Sequence, residues 1–304
     1  MWQLATRVAA GAAIMSVVSL VNGSAAQVWG EPSGAENSPQ PTIVMSQAPL
    51  LVVPEASSAP FDGLEARTRQ ASADAARSGA TTEIVVLDRT TGQIVSNGSS
   101  QPVPIASVVK LFIADDLLLQ EAKGQTQLTP ADRASLDLML RSSDDGAAQT
   151  FWDRSGGNAI IGRVVVRYGL RGTTAPYNGH WDVTLSTASD LVRYYSMLLD
   201  GSGGLPPEQA EVILGNLAQS TPTGTDGYPQ RFGIPEGLYA EAVAVKQGWF
   251  CCWNGPNQLH LSTGVIGPDR RYVMAISSLE PDDDAASRNT MTQVVKTMFP
   301  GGQI

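Results

Sequence analysis

Strand-like patterns stand near both ends of the region between residues 61 and 304, and a long helical stretch separates them. Residues 83–88 and 93–96 form a hairpin pattern around a polar turn that contains Gly92. Further strand patterns follow the helical stretch, at 243–245, 259–265 and 272–278. This order predicts one antiparallel sheet formed from both ends of the chain, in an α/β (α+β) fold.

Helical patterns occupy most of the remaining sequence. One precedes the hairpin at 64–78, and another closes the chain at 285–298. The others lie between the two groups of strands, at 107–122, 129–141, 146–156, 159–168, 186–199 and 207–217. We expect the terminal helices to cover one face of the sheet and the inserted helices to form a second, reduced lobe. A cleft between two lobes is a common place for a ligand site.

The first 26 residues have the layout of a secretory signal peptide. A head with one positive charge precedes an apolar run over residues 8–21, and small residues stand before Gln27. The alternative is an uncleaved N-terminal anchor, the one case in which we expect contact with a membrane. No cysteine stands near the expected cleavage site, so we do not expect a lipid anchor. Residues 27–60 are rich in Pro, Ser and Ala, which predicts a flexible linker. We therefore expect an exported or cell-envelope protein whose folded domain spans 61–304.

Composition excludes several classes of function. The formal net charge is −9, so nucleic acid is not an expected partner, because binding to a polyanion needs clustered Lys and Arg. His180, His260 and two adjacent cysteines are too few for a zinc ribbon, a disulfide framework or a His-rich metal site. We expect no metal, no cofactor and structural roles for both histidines. For Cys251 and Cys252 we expect reduced thiols, with a vicinal disulfide as the alternative in an exported protein.

The first motif that can carry chemistry is Ser107-Val-Val-Lys110 at the start of an apolar helix. Ser and Lys at this spacing share one helix face. A Ser hydroxyl is a poor nucleophile until a base takes its proton, and a neutral Lys can act as that base when burial lowers its pKa. The alternative is a Ser N-cap beside an exposed Lys. The apolar neighbours of Lys110 argue against that alternative.

Two further motifs stand later in the chain. Ser143-Asp-Asp145 lies between two predicted helices, where a plain helix cap is the alternative to a cleft position. The segment Lys246-Gln247-Gly248-Trp249 closes the strand pattern 243–245. A Lys at that place can supply a fixed cation for a substrate carboxylate, and a Gly lets a ligand approach the backbone closely. The alternative for this Lys is an edge-strand residue that discourages pairing.

In this order and on these elements, the three motifs resemble those of the serine β-lactamase and penicillin-binding protein superfamily, and are most similar to the class A β-lactamase arrangement. The resemblance covers residues 83–298. The hairpin EIVVLDRTTGQIV and the segment PIASVVKLFIA are similar to that family outside the motifs as well. The resemblance implies a β-lactamase-like fold and a serine hydrolase that forms an acyl-enzyme.

The same resemblance implies a role for each matching residue. Ser107 is the expected nucleophile, Lys110 its base or proton shuttle, and Ser143 the relay of a proton to the leaving nitrogen. Lys246 is expected to hold a substrate carboxylate and to keep Lys110 partly neutral by like-charge repulsion. The backbone N–H groups of Ser107 and Trp249 are expected to form the oxyanion hole.

This chain departs from the family pattern at several positions. Asp145 stands where the family has Asn, and an ionised Asp accepts hydrogen bonds but cannot donate them. A carboxylate there is expected to pair with Lys110, to raise its pKa and to repel an anionic substrate. Gln247 and Trp249, which with Asp145 and Gly248 are the expected substrate-binding residues, are larger than usual and narrow the expected groove. Asp182 matches the Asp that closes the family's omega loop, whose deacylating Glu is absent.

The sequence therefore predicts a serine hydrolase, acylated by a peptidoglycan-derived peptide or a β-lactam. Without the omega-loop Glu, we expect acylation to outpace deacylation. One alternative is a binding protein of the cell envelope that has lost turnover. The other is a Ser-Lys esterase on the same fold. We expect a monomer.

Overall fold

A computed structural model describes residues 61–304. The predicted signal peptide and linker lie outside these residues. Within them, no helix is both long enough and apolar enough to span a bilayer.

One antiparallel sheet organises the described chain. Its strands are β1 (Thr81–Asp88), β2 (Ile94–Ser96), β5 (Val243–Trp253), β6 (Asn257–Ile266) and β7 (Tyr272–Glu280). Their order across the sheet is β2-β1-β7-β6-β5. The pairing of β1 with β7, with Val85 opposite Ala275, joins the two ends of the folded region. The predicted sheet closed from both ends is confirmed, and β5 forms one of its edges.

A separate two-stranded ribbon pairs β3 (Val103–Pro104) with β4 (Leu185–Ser186). It holds the segment before Ser107 against the segment that follows Trp181. Because each strand has only two residues, neither has a sequence pattern that could have predicted it.

The helices lie on both sides of the sheet. Their bounds are α1 (Leu64–Arg77), α2 (Lys110–Ala122), α3 (Pro130–Arg141), α4 (Asp145–Arg154), α5 (Asn158–Tyr168), α6 (Ala188–Asp200), α7 (Pro207–Leu217), α8 (Ile234–Gly237) and α9 (Asp284–Met298). Residues from α1 and α9 share one hydrophobic cluster with side chains such as Ile84 and Met274. Residues from α2 to α7 share the other cluster, which includes Val85 and Ala275. Neighbouring strand residues thus point to opposite faces of the sheet. The prediction that the terminal helices cover one face is confirmed, and the inserted helices pack against the other face.

Local sequence signals place the two helices that flank the second motif. Thr129 caps α3, since its hydroxyl accepts a hydrogen bond from the Asp132 backbone N–H while the Asp132 carboxylate accepts from the Thr129 N–H. Asp144 caps α4 by accepting from the Ala147 N–H at 2.7 Å. The tight turn between the end of α3 and the Asp144 cap fixes the position of Ser143.

The strand β5 is longer than the sequence pattern predicted. The apolar pattern stops at Val245, whereas the strand continues to Trp253. Lys246 and Gln247 are buried polar side chains, which a hydrophobic pattern counts as exposed. The predicted strand therefore ended one residue before Lys246.

The two cysteines lie near the exposed end of β5 and are joined by a disulfide. The expectation of reduced thiols is wrong for this structure. That expectation assumed that strand neighbours point to opposite faces, but the register of β5 shifts between Cys251 and Trp253.

Candidate active site

Ser107 lies in a short 3-10 helix, Ala106–Val109, that leads directly into α2. The hydroxyl is nearly buried, and the preceding Ala106 has a left-handed backbone with φ 45°. Such a conformation is costly for a residue with a side chain and is often found at functional sites. Lys110 is the first residue of α2, and its Nζ lies 2.9 Å from Ser107 Oγ. The predicted helix-face pair is thus formed, and Ser107 is not an N-cap.

Ser143 lies in the turn between α3 and α4, also with a left-handed backbone, at φ 57°. Because Asp144 takes the capping role, the Ser143 side chain is left to face Lys110. Lys110 Nζ donates to the Ser143 carbonyl at 2.6 Å and lies 3.2 Å from Ser143 Oγ. The second motif is therefore part of the site and not only a helix cap.

Lys246 reaches the same turn from β5. Its Nζ donates to Ser143 Oγ at 2.9 Å and to the Gln247 carbonyl at 3.2 Å. The structure thus brings all four expected catalytic residues together. A continuous set of contacts runs from Ser107 through Lys110 and Ser143 to Lys246.

Burial governs the charge of both lysines. Lys110 is fully buried, and desolvation lowers its pKa below the usual value while the nearby Asp145 carboxylate opposes that change. Burial lowers the pKa of Lys246 well below the usual value, and the Lys110 charge adds to the effect. A lysine with a lowered pKa can lose its proton near neutral pH and accept one from a hydroxyl.

Asp145 forms the ion pair that the sequence led us to expect. Its Oδ1 lies 2.6 Å from Lys110 Nζ, and its side chain is 69% exposed. It is the first residue of α4. The carboxylate therefore joins the buried lysine to the solvent-exposed side of the site.

Gly248 lies where the edge strand β5 meets the 3-10 helix of Ser107. A Cβ at this position would stand 2.7 Å from the Ile105 carbonyl oxygen. Only glycine allows this approach without a shift of the backbone. Gly248 thus sets the spacing between the nucleophile segment and the strand.

The expected substrate-binding side chains on β5 differ from expectation. Gln247 is buried, and its Nε2 donates to the Gln230 and Phe232 carbonyls at 3.1 and 2.6 Å. It therefore does not narrow the groove as expected, since its amide stabilises the neighbouring loop instead. Trp249 is half-buried and stacks on Tyr228 with 4.2 Å between ring centroids.

Two features of the site were missed by the sequence analysis. Lys110 Nζ lies 4.9 Å from the centroid of the Trp181 ring, in a cation–π arrangement. Asp182 follows Trp181 in the same 3-10 helix. The segment before α6 therefore closes the site with an indole. No local pattern signals this contact, since it depends on where the chain returns to the site.

The second missed feature is a polar cluster behind Trp249. The Tyr228 hydroxyl lies 2.6 Å from His260 Nε2 and donates to Asp284 at 2.5 Å. Arg288 donates to the same hydroxyl at 3.0 Å. Burial lowers the pKa of His260 to about 4, so the imidazole is neutral at pH 7. The expected structural role of His260 fits this position, while His180 lies exposed near Trp181.

Between residues 61 and 304, no group of three or more His, Cys, Asp or Glu side chains is arranged to hold a metal ion. The site is built from hydroxyl, amine and carboxylate groups. Groups of these types can carry out proton transfer and nucleophilic attack.

The described residues have the fold of serine β-lactamases and penicillin-binding proteins. A model described as "Beta-lactamase enzyme family" matches residues 65–131. A β-lactamase from Chitinophaga pinensis aligns with a TM-score of 0.61 and 16% identity, over 76% of this chain and 98% of that chain. The structure titled "Structure of PBP-A" aligns with a TM-score of 0.63 and 19% identity, over 77% and 94%. The predicted fold is confirmed.

A more specific relationship comes from sequence. The chain is 63% identical over 244 residues to proteins named "Putative lipoprotein LppW" from Mycobacterium tuberculosis and Mycobacterium bovis. The alignment covers 80% of this chain and 77% of each relative. The chain belongs to the LppW family.

Proposed function

We propose that this protein is an exported serine hydrolase of the β-lactamase and penicillin-binding type, acylated at Ser107 by a peptide-like amide or a β-lactam. The observation that carries the proposal is the continuous path of contacts from Ser107 through Lys110 and Ser143 to Lys246. Each contact lies within hydrogen-bond distance, as proton transfer requires.

In the acylation step, a proton moves first from Ser107 to Lys110 and then from Lys110 through Ser143 to the leaving group. Neutral Lys110 takes the Ser107 proton while Oγ forms a bond to the substrate carbonyl carbon. The bond from that carbon to the leaving nitrogen then breaks. Ser143 gives its proton to the leaving nitrogen and regains one from Lys110, so the lysine ends neutral. The proposed oxyanion donors are the backbone N–H groups of Ser107 and Trp249.

Lys246 acts in this proposal through Ser143. Its Nζ donates hydrogen bonds to Ser143 Oγ and to the Gln247 carbonyl. Burial and the Lys110 charge lower the pKa of Lys246 well below its usual value, so its role in this proposal is to position Ser143 through their hydrogen bond. The deacylating Glu of the class A pattern has no counterpart near Asp182, so the proposal includes a long-lived acyl-enzyme.

The second candidate function is a binding protein of the cell envelope without turnover. The observation that favours it is the ion pair between Lys110 and Asp145, because a protonated Lys110 cannot act as a base. Both candidates share the envelope location. The word "lipoprotein" in the name of the LppW relatives supports that location.

One experiment separates the candidates. The full chain and its Ser107→Ala variant are incubated with a fluorescent penicillin and, separately, with p-nitrophenyl esters. We expect a covalent penicillin adduct in the parent that is absent from the variant and persists for minutes or longer. Ester turnover without a penicillin adduct would point to an esterase. The absence of both the adduct and ester turnover would favour the binding protein.

A further inference from the structure

Neither lysine side chain of the site is exposed to a ligand. Lys110 and Lys246 are buried, with exposed fractions of 0% and 1%. Lys110 Nζ faces Ser107, Ser143 and Asp145 at 2.6 to 3.2 Å. Lys246 Nζ is likewise occupied by protein oxygens. A substrate carboxylate therefore finds neither ammonium group available on the open side of the cleft.

The exposed charges beside the nucleophile are negative. Asp145 pairs with Lys110 through Oδ1 and turns most of its side chain to solvent. Asp226 lies exposed on the loop 221–230. That loop is tied to the turn beside Ser143, because the Thr225 N–H donates to the Ser142 carbonyl at 2.8 Å. The negative charges of both carboxylates oppose the lowering of the pKa of Lys110 and of Lys246.

An aromatic pair and the Gln247 amide lie at the loop 221–230. Tyr228, two residues after Asp226, stacks on Trp249 of the edge strand, so the loop spans from Ser142 to β5. The guanidinium carbon of Arg288 already lies 5.0 Å from the centroid of the Tyr228 ring, so the Tyr228–Trp249 pair offers apolar area to a ligand and not a free Tyr228 face. The Oε1 of the buried Gln247 has no hydrogen-bond partner among the described residues.

We infer that the cleft selects acyl donors that carry a positive charge, such as an alkylammonium group, over neutral or anionic donors. The inference rests on the proposed function and names its substrate class. Asp145 and Asp226 bind the cation, and the Trp249–Tyr228 pair packs against its alkyl part. The carboxylate of a penicillin meets these same groups, so a penicillin should still acylate Ser107, but more slowly than a cationic donor of equal reactivity does.

Binding to the full chain carrying Ser107→Ala tests this selectivity without turnover. The probes are the N-methylamide of 4-(trimethylammonio)butyrate and its neutral isostere, the N-methylamide of 5,5-dimethylhexanoate, measured by titration calorimetry. We expect the cation to bind at least fivefold more tightly, because one charge pair at ~4 Å in water is worth about 1 kcal/mol. Asp145→Asn and Asp226→Asn should each reduce this ratio.

The matched control is Asp74→Asn, which removes one charge on α1, on the other face of the sheet. It should leave the ratio unchanged. A ratio near one in the parent, or a ratio that neither cleft variant changes, would overturn the inference. Labelling of Ser107 by a neutral fluorophosphonate is measured in parallel on the parent. Labelling without cation preference rejects only the inference, whereas preference without labelling rejects only the proposed hydrolase.

Discussion

Replacing Asp145 by Asn should raise the rate at which Ser107 is acylated. The Asp145 carboxylate lies 2.6 Å from Lys110 Nζ and stabilises the protonated lysine, which cannot take the Ser107 proton. Because 69% of the Asp145 side chain is exposed, water screens the pair, and we take its worth as about 1 kcal/mol. Its loss should raise the deprotonated fraction of Lys110, and with it the acylation rate, about fivefold.

The assay is the second-order rate of labelling by a neutral fluorophosphonate at pH 7, so that probe charge plays no part. Asp144→Asn is the matched control, since it removes one charge from the neighbouring residue. Asp144 caps α4 without a hydrogen bond to Lys110, and Asn caps a helix as well as Asp does. We expect a change below about twofold for this control. An unchanged or slower rate in Asp145→Asn, or an equal increase in both variants, would refute the reasoning.

Three further predictions concern packing and pH. Gly248→Ala places a Cβ 2.7 Å from the Ile105 carbonyl, so the strand must shift, and fluorophosphonate labelling should fall at least tenfold while near-native circular dichroism remains. Burial lowers the pKa of His260 to about 4, so the folded state resists a proton that the unfolded chain accepts. Acidification from pH 6.5 to 4 should therefore lower the His260 contribution to the unfolding free energy by about 3 kcal/mol, measured in urea titrations as the change in the difference between the parent and His260→Gln. Burial raises the pKa of Glu83 to about 7, so its contribution is present below pH 4.5 and is lost as pH rises through 7. Glu83→Gln should therefore gain about 3 kcal/mol over the parent at pH 8, with no such gain at pH 4, and equal stabilities at pH 8 would contradict this account.

The sequence predicted those parts of the fold that depend on local patterns. The capping signal at Thr129, the hairpin around Gly92 and the strands of the C-terminal half all carry regular spacing or turn chemistry. The ends of the sheet meet because both halves show strand patterns on either side of a helical insert. The two-residue strands and the short α8 were beyond prediction, since elements of that length have no period to detect.

The site was predictable to the extent that its residues occur in motifs. Ser107 and Lys110 share a helix face, which spacing alone reveals. Bringing Lys246 to Ser143 needed the family resemblance, because these residues are far apart in sequence. The resemblance also led us to expect the Gln247 side chain in the substrate groove. That was wrong because two backbone carbonyls bind the Gln247 amide in the interior.

The side chains that came from loops could not be predicted. Trp181 reaches Lys110 through the segment before α6, and Tyr228 reaches Trp249 through the loop 221–230. Neither contact follows from a periodic pattern, because a loop's path depends on the packing of the elements it joins. These residues contribute to the shape of the cleft. The sequence therefore predicted which motif residues meet at the site better than it predicted the side chains around them.

Intact-protein mass spectrometry of the full chain after exposure to a fluorophosphonate tests the central claim most directly, with Ser107→Ala treated in parallel. The account predicts a single phosphonyl adduct on the parent, located by peptide mapping on the segment that contains Ser107, and no adduct on the variant. A parent without adduct, or an adduct that persists in Ser107→Ala, would contradict the assignment of Ser107 as the nucleophile.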